Sequence, residues 1–125
     1  MEIIAREKAL VRLANKASTD LSGKEGFIAE YDSGLKPSGG TNALGVITEG
    51  GATESDVAIL GTFDGVLRGK AAGTIAVGDK LKVDSNGKLA AYTSGAGTIV
   101  GVALQAGVAD ELVEFAPMAP EVRAA

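Results

Sequence analysis

The chain has 125 residues, no cysteine, histidine or tryptophan, and a net charge of −4. That length fits one domain with a core of its own. The missing residue types exclude disulfides, thiolate nucleophiles, thiolate or imidazole metal sites and the serine–histidine pair, while acidity and scarce aromatics disfavour nucleic-acid or sugar stacking.

The first 22 residues, MEIIAREKALVRLANKASTDLS, leave two readings open. Ile3, Ile4, Leu10, Val11 and Ala14 fit a helical stripe, and ALVRLA also alternates as a strand. The reading adopted is an extended arm that pairs from about Lys8 to Ala14. Within residues 1–19, Arg6, Lys8, Arg12 and Lys16 face only Glu2 and Glu7, a balance of +2 on an acidic protein. Such an arm is either a solvated face or a segment that docks on an acidic partner. Its charges interrupt any signal-peptide core, and no apolar run approaches the roughly 20 residues of a membrane span. Synthesis in a cytoplasm without secretion is therefore expected.

From Phe27 onward, short strands alternate with turn clusters. FIAEYD (27–32) leads through SGLKPSGGTN to ALGVITEG (43–50), followed by the loop GATES. DVAILGTFDGVLRGKA (56–71) reads as one long strand or two, with FDG (63–65) as a bulge or tight turn. TIAVGDKLKVDSNGKLAAYT (74–93) is a hairpin: Gly78-Asp79 turns into it, and Leu81 and Val83 alternate with Lys80, Lys82 and Asp84. Asn86-Gly87 suits a type I′ turn with two positive φ angles. TIVGVALQA and ELVEF supply the last two strands. The tail APMAPEVRAA holds two of the three prolines and is expected to be irregular. The division expected is an arm or edge strand over 1–22, a β domain over 23–116 and a tail over 117–125.

The chain also repeats itself. Placing Gly45-Val46 over Gly101-Val102, an offset of 56, sets Gly51 on Gly107, Glu54 on Asp110 and Val57 on Val113. EYDSGLK falls over KVDSNGKL with a small gap. Two β copies favour a small antiparallel sandwich or barrel with a pseudo-two-fold internal repeat, an N-terminal arm and little helix. Val100, Val102 and Leu104 are then expected on one face.

Constellations that carry chemistry are weak. Glu54 and Asp56, and Asp110, Glu111 and Glu114, are carboxylates close in sequence, but they belong to surface loops of different repeat units and read as solvated turns. DSNGK (84–88) echoes the start of a calcium loop without the later oxygen ligands. GKAAGT (69–74) lacks the phosphate-loop pattern. A serine–lysine dyad has no supporting motif. No enzyme, metal or cofactor is expected.

Taken in order, DLSGKEGFIAEYDSG, ALGVITEGGATESDVAIL, GKAAGTIAVGDKLKVDSNGKLAAYTSGAGTIVGVALQAG and DELVEF resemble the small capsid cement, or head decoration, proteins of tailed bacteriophages, a group formerly filed as a domain of unknown function. The shared patterns are the G-x-I-x-x-G-D turn (Gly73 to Asp79), the D-x-x-G-K hairpin (Asp84 to Lys88) and the strand from Val100 to Gly107. The resemblance covers roughly residues 10–116 and implies a β domain on the outside of an expanded head. It implies a virion component whose partner is the major capsid protein, without direct nucleic-acid or membrane contact. A homotrimer is the commonest state in such proteins, and dimers and monomers also occur. The arm residues Ile3, Ile4, Arg6, Lys8, Leu10 and Arg12 are the expected capsid or inter-subunit contacts. Gly78, Asp79, Asn86 and Gly87 are the expected structural turns. The alternative function is a small non-catalytic ligand- or glycan-binding module on a phage or cell surface.

Overall fold

A computed structural model describes residues 11–54, 56–61 and 66–124. Among them there are ten strands and no helix: β1 (Val11–Lys16), β2 (Ile28–Tyr31), β3 (Leu35–Pro37), β4 (Gly45–Glu49), β5 (Asp56–Gly61), β6 (Leu67–Lys70), β7 (Lys80–Val83), β8 (Leu89–Ala91), β9 (Gly97–Ala103) and β10 (Leu112–Arg123). They form two antiparallel sheets, ordered β1-β5-β4-β2-β3 and β6-β10-β9-β7-β8. The sheets pack together as an open sandwich without closing into a barrel.

The second order is the first with five added to every strand, so the sequence repeat is a repeat of topology. It extends to individual pairs. Val46 lies opposite Leu60 and Ile47 opposite Ile59; 56 residues later, Val102 lies opposite Ala116 and Ala103 opposite Phe115. The Leu21 N–H donates to Gly51 O at 2.7 Å, and the Ile75 N–H to Gly107 O at 2.9 Å. Glu54 and Asp110 both take positive φ, 71° and 69°. In each case the N–H donates across the half, to Ala17 O and to Ala71 O. A shared need for that turn explains why acidic residues recur there.

The copies bury their sheets unequally. Ala29 and Ile47 lie on one face of the first sheet, in a small core with Ala17, Leu21, Phe27 and Leu35. Their neighbours Ile28 and Val46 lie on the opposite face, because side chains alternate along a strand. Ile28 and Val46 join the larger core with Leu67, Leu81, Val83, Leu89, Ala103, Val113 and Phe115 of the second half. By register, Leu81 and Ala103 are the equivalents of Ala29 and Ile47. The front of the second sheet therefore packs on the back of the first, and the packing departs from exact two-fold symmetry. Two substitutions between copies record this. Val83 is 2% exposed and its equivalent Tyr31 is 58% exposed. Ile28 is 2% exposed, and its equivalent is the exposed Lys80.

The structure decides between some of the readings left open and overturns others. Residues 56–71 make two strands, and Phe63–Gly65 lie outside the described residues. Residues 11–16 are strand, paired with β5 from Val11↔Gly61 to Lys16↔Asp56. The tail is not irregular: β10 continues to Arg123, with Glu121↔Ile99 and Arg123↔Gly97 beyond a register shift between Pro117 and Glu121. The shift sets Met118, Ala119 and Pro120 outside the ladder, which lets a proline-containing segment remain in a sheet. Val100, Val102 and Leu104 do not share a face. A bulge between Leu81/Gly101 and Lys82/Ile99 turns Val100 into the core, while Leu104 is exposed. In the β7–β8 loop, Gly87 has φ +85° but Asn86 does not take positive φ. The turn is not type I′, because the Asp84 carboxylate accepts the N–H groups of Asn86 and Lys88, both at 2.9 Å, and holds the loop in a three-residue form.

Ile28→Lys should cost about 3 kcal/mol or more, through an unpaired buried charge. Lys80→Ile should change stability by less than about 0.5 kcal/mol. Chemical denaturation of the two variants checks this, and equal effects would contradict front-to-back packing. Gly101→Ala should destabilise by about 1–3 kcal/mol. Its new Cβ would stand 2.3 Å from Ala116 O and 2.8 Å from the Phe115 ring. Gly73→Ala, with open space around it, is the neutral control.

Candidate interaction surface

Turn chemistry occupies the polar groups that looked most available. Asp84 is committed to its own loop, as above. Gly78 takes φ +90° and donates to Ala103 O at 2.8 Å. The Asp79 carboxylate accepts the Ala76 N–H at 2.9 Å, closing that turn. Lys88 Nζ lies 2.8 Å from Asp110 Oδ1 and 5.6 Å from the centre of the Phe27 ring, with Lys24 4.8 Å from that ring. This cluster ties the second half's hairpin to the first half. Ile28 N–H also donates to Gly87 O at 2.6 Å. Glu54 and Asp110 belong to separate halves, so the acidic loops do not build one site. No buried side-chain nitrogen or oxygen among the described residues lacks a hydrogen-bond partner. No group of three metal-binding side chains occurs among them either.

Of the arm residues, Ile3, Ile4, Arg6, Lys8 and Leu10 lie outside the described residues. Arg12 sits in β1, opposite Leu60.

The surface also offers apolar features. At one end of the sandwich a cleft opens between the sheets. Ile28, Val46, Leu67, Val100 and Phe115 floor it, and Ala43, Leu44, Pro117, Met118 and Pro120 rim it. The enclosed space is about 30 Å³, room for about one water. Beside it runs an open groove of about 310 Å³ bordered by Tyr31, Ala43, Leu44, Pro120 and Val122 together with the polar Glu30, Thr41 and Asn42. Leu44 and Val122 are 43% and 68% exposed. Thr98 holds this rim in place, its hydroxyl donating to Thr41 O at 2.7 Å. The Ser38 hydroxyl donates to Asn42 O.

None of the groove residues was singled out from sequence. The available signal was apolar residues between prolines in the tail. Proline argued for irregularity there, and the register shift that accommodates it is invisible in one dimension. A second exposed set, Val77, Leu104 and Val108, sits on the loops of the second half. Its equivalents in the first half are Glu25, Thr48 and Ala52. Glu25 serves its own half, its carboxylate accepting the Gly50 N–H at 2.9 Å, whereas Val77, Leu104 and Val108 leave apolar side chains exposed.

A family model described as phage cement protein matches residues 4–116. The crystal structure of the head fiber gp8.5 N base of bacteriophage phi29 is similar, with a TM-score of 0.69 at 14% sequence identity, over 85% of this chain and 92% of that one. At that identity the similarity speaks for the fold. No curated protein sequence matches.

Hydrogen bonding to Lys88, and then its charge, holds the Asp110 carboxyl below its ordinary value of 3.8. A depressed folded-state value means that the stabilisation is present above the ordinary value and fades as pH falls through the lower, folded one. Asp110→Asn keeps a side chain that tolerates the positive φ. It should reduce the acid sensitivity of the unfolding midpoint below the ordinary value and leave neutral pH little changed, since exposed pairs contribute little. An unchanged acid limb would contradict the assignment.

Proposed function

The chain belongs to the phage cement protein family, and we propose that it binds the outer surface of an expanded phage head between major capsid protein subunits and stabilises the shell. The family match over residues 4–116 carries this reading. The structure is compatible in kind. The turn carboxylates Asp79 and Asp84 are occupied by backbone N–H groups, and the surface includes exposed apolar patches, which suits burial against a neighbour more than a chemical step. Modest contacts suffice when many copies bind one lattice, because avidity multiplies weak interfaces. In this reading the protein is a virion component made in the host cytoplasm. It acts as a homotrimer at the junctions between capsomers, without direct contact to nucleic acid. The arm residues Ile3, Ile4, Arg6, Lys8, Leu10 and Arg12 meet the capsid or an adjacent copy.

Co-sedimentation with purified expanded heads that lack the protein tests the reading. Binding should saturate at a fixed ratio to the major capsid protein, and decorated heads should withstand heat or osmotic shock better than bare ones. Failure to bind any head would remove the proposal.

A further inference from the structure

We propose that the apolar part of the groove beside the cleft receives Ile3 and Ile4 from the amino-terminal segment of a second copy of this chain, linking neighbours arm to groove. This deepens the arm contact proposed above and rests on that reading.

Register sets where the arm departs. β1 and β4 both run antiparallel to β5, so they run parallel to each other. Val11 lies opposite Gly61, and Val46 opposite Leu60, which puts Val11 level with Gly45. The start of β1 at Val11 therefore stands two strand spacings, or about 10 Å, from Gly45, which adjoins Leu44 on the groove rim. The ten residues before Val11 can span up to about 33 Å.

Sequence sets which groove they meet. MEIIAREKAL contains no glycine, proline, asparagine, aspartate or serine. Those are the residues that reverse a chain. Nothing in the composition of the segment favours a reversal at the start of β1 that would return it to its own groove. A neighbouring copy is the occupant that this geometry favours.

The groove matches in chemistry. Ala43, Leu44, Pro120 and Val122 are apolar, and the uncharged Thr41 and Asn42 beside them already accept the Thr98 and Ser38 hydroxyls at their carbonyls. The one carboxylate on its border, Glu30, is already held by the Gly39 N–H at 2.7 Å and lies 3.8 Å from Lys36 Nζ. Two adjacent isoleucines can be buried here without an unpaired charge. Strand addition is disfavoured at this place. β6 stops pairing with β10 at Phe115, and the β10 stretch beyond it holds Pro117 and Pro120, which have no N–H to offer. Contact through side chains remains.

The chain has no cysteine, which makes the test direct. Purified Ile4→Cys protein is mixed with Leu44→Cys protein and oxidised, with Val108→Cys at the far end of the sandwich as the control partner. The unfolding midpoint of each variant is first matched to the parent. A disulfide-linked heterodimer with the Leu44→Cys partner and none with the Val108→Cys partner is expected. No heterodimer, or equal amounts with both partners, overturns the proposal. So does an Ile4→Cys/Leu44→Cys double variant that links only within single chains. Head binding is scored separately. Protein that cross-links but binds no head removes the cement reading and keeps this one; protein that binds heads without cross-linking does the reverse.

Discussion

Everything in this sandwich depends on one contact, the back of the first sheet lying on the front of the second. Ile28 and Val46 supply the back, and Leu67, Leu81 and Phe115 are among the residues that supply the front. A sheet with one apolar face has to cover it with something. A duplicated sheet offers two such faces, and here they are not turned toward each other. The first half keeps a small core of its own around Leu21 and Ile47, closed partly by the segment that carries Leu21. Its other face serves the second half. The central strands of the first sheet are therefore apolar on both sides, which is why Phe27, Ile28 and Ala29 are buried in succession.

Contacts between unlike faces have no built-in end, since each added unit presents the same face again. The chain stops the series by chemistry. Lys80 stands where Ile28 would invite another layer, and Lys82 stands on the same face. This is the role of a polar cap in a stacked array. The same comparison explains other positions. Those alike in both halves, such as the Glu54 and Asp110 turns, follow from the backbone they serve. Those that differ have local reasons in each half: Ile28 is buried where Lys80 is exposed, and Glu25 accepts the Gly50 N–H where Val77 has no such partner to serve.

Much of this was legible in one dimension. The offset that joins Gly45-Val46 to Gly101-Val102 is the true structural register, because glycine followed by a β-branched residue marks the same place in both ladders. The alternation of Leu81 and Val83 with lysines gave the correct faces, because one side is wet. The opening strands of the two halves were harder. β6 has only four residues, one of them glycine, and β1 carries charges that suit a helix as well. The bulge at Val100 hid the phase of β9, since one extra residue exchanges the faces beyond it. The interaction groove was the least legible. It is assembled from Tyr31, Leu44 and Val122, which come from three parts of the chain and meet only because β10 resumes pairing after its prolines.

That resumption matters for how such a protein holds a neighbour. A strand edge is the easiest surface through which a β protein associates, and also the least selective, because every backbone offers the same hydrogen bonds. Here the exposed stretch of β10 is bent by its register shift and interrupted by Pro117 and Pro120. The backbone is a poor template at the place where apolar side chains are most exposed. Recognition is shifted from main chain to side chains, which can discriminate shape. The proposed cement role would call for that discrimination, since copies that paired edge to edge in solution would aggregate before reaching their sites.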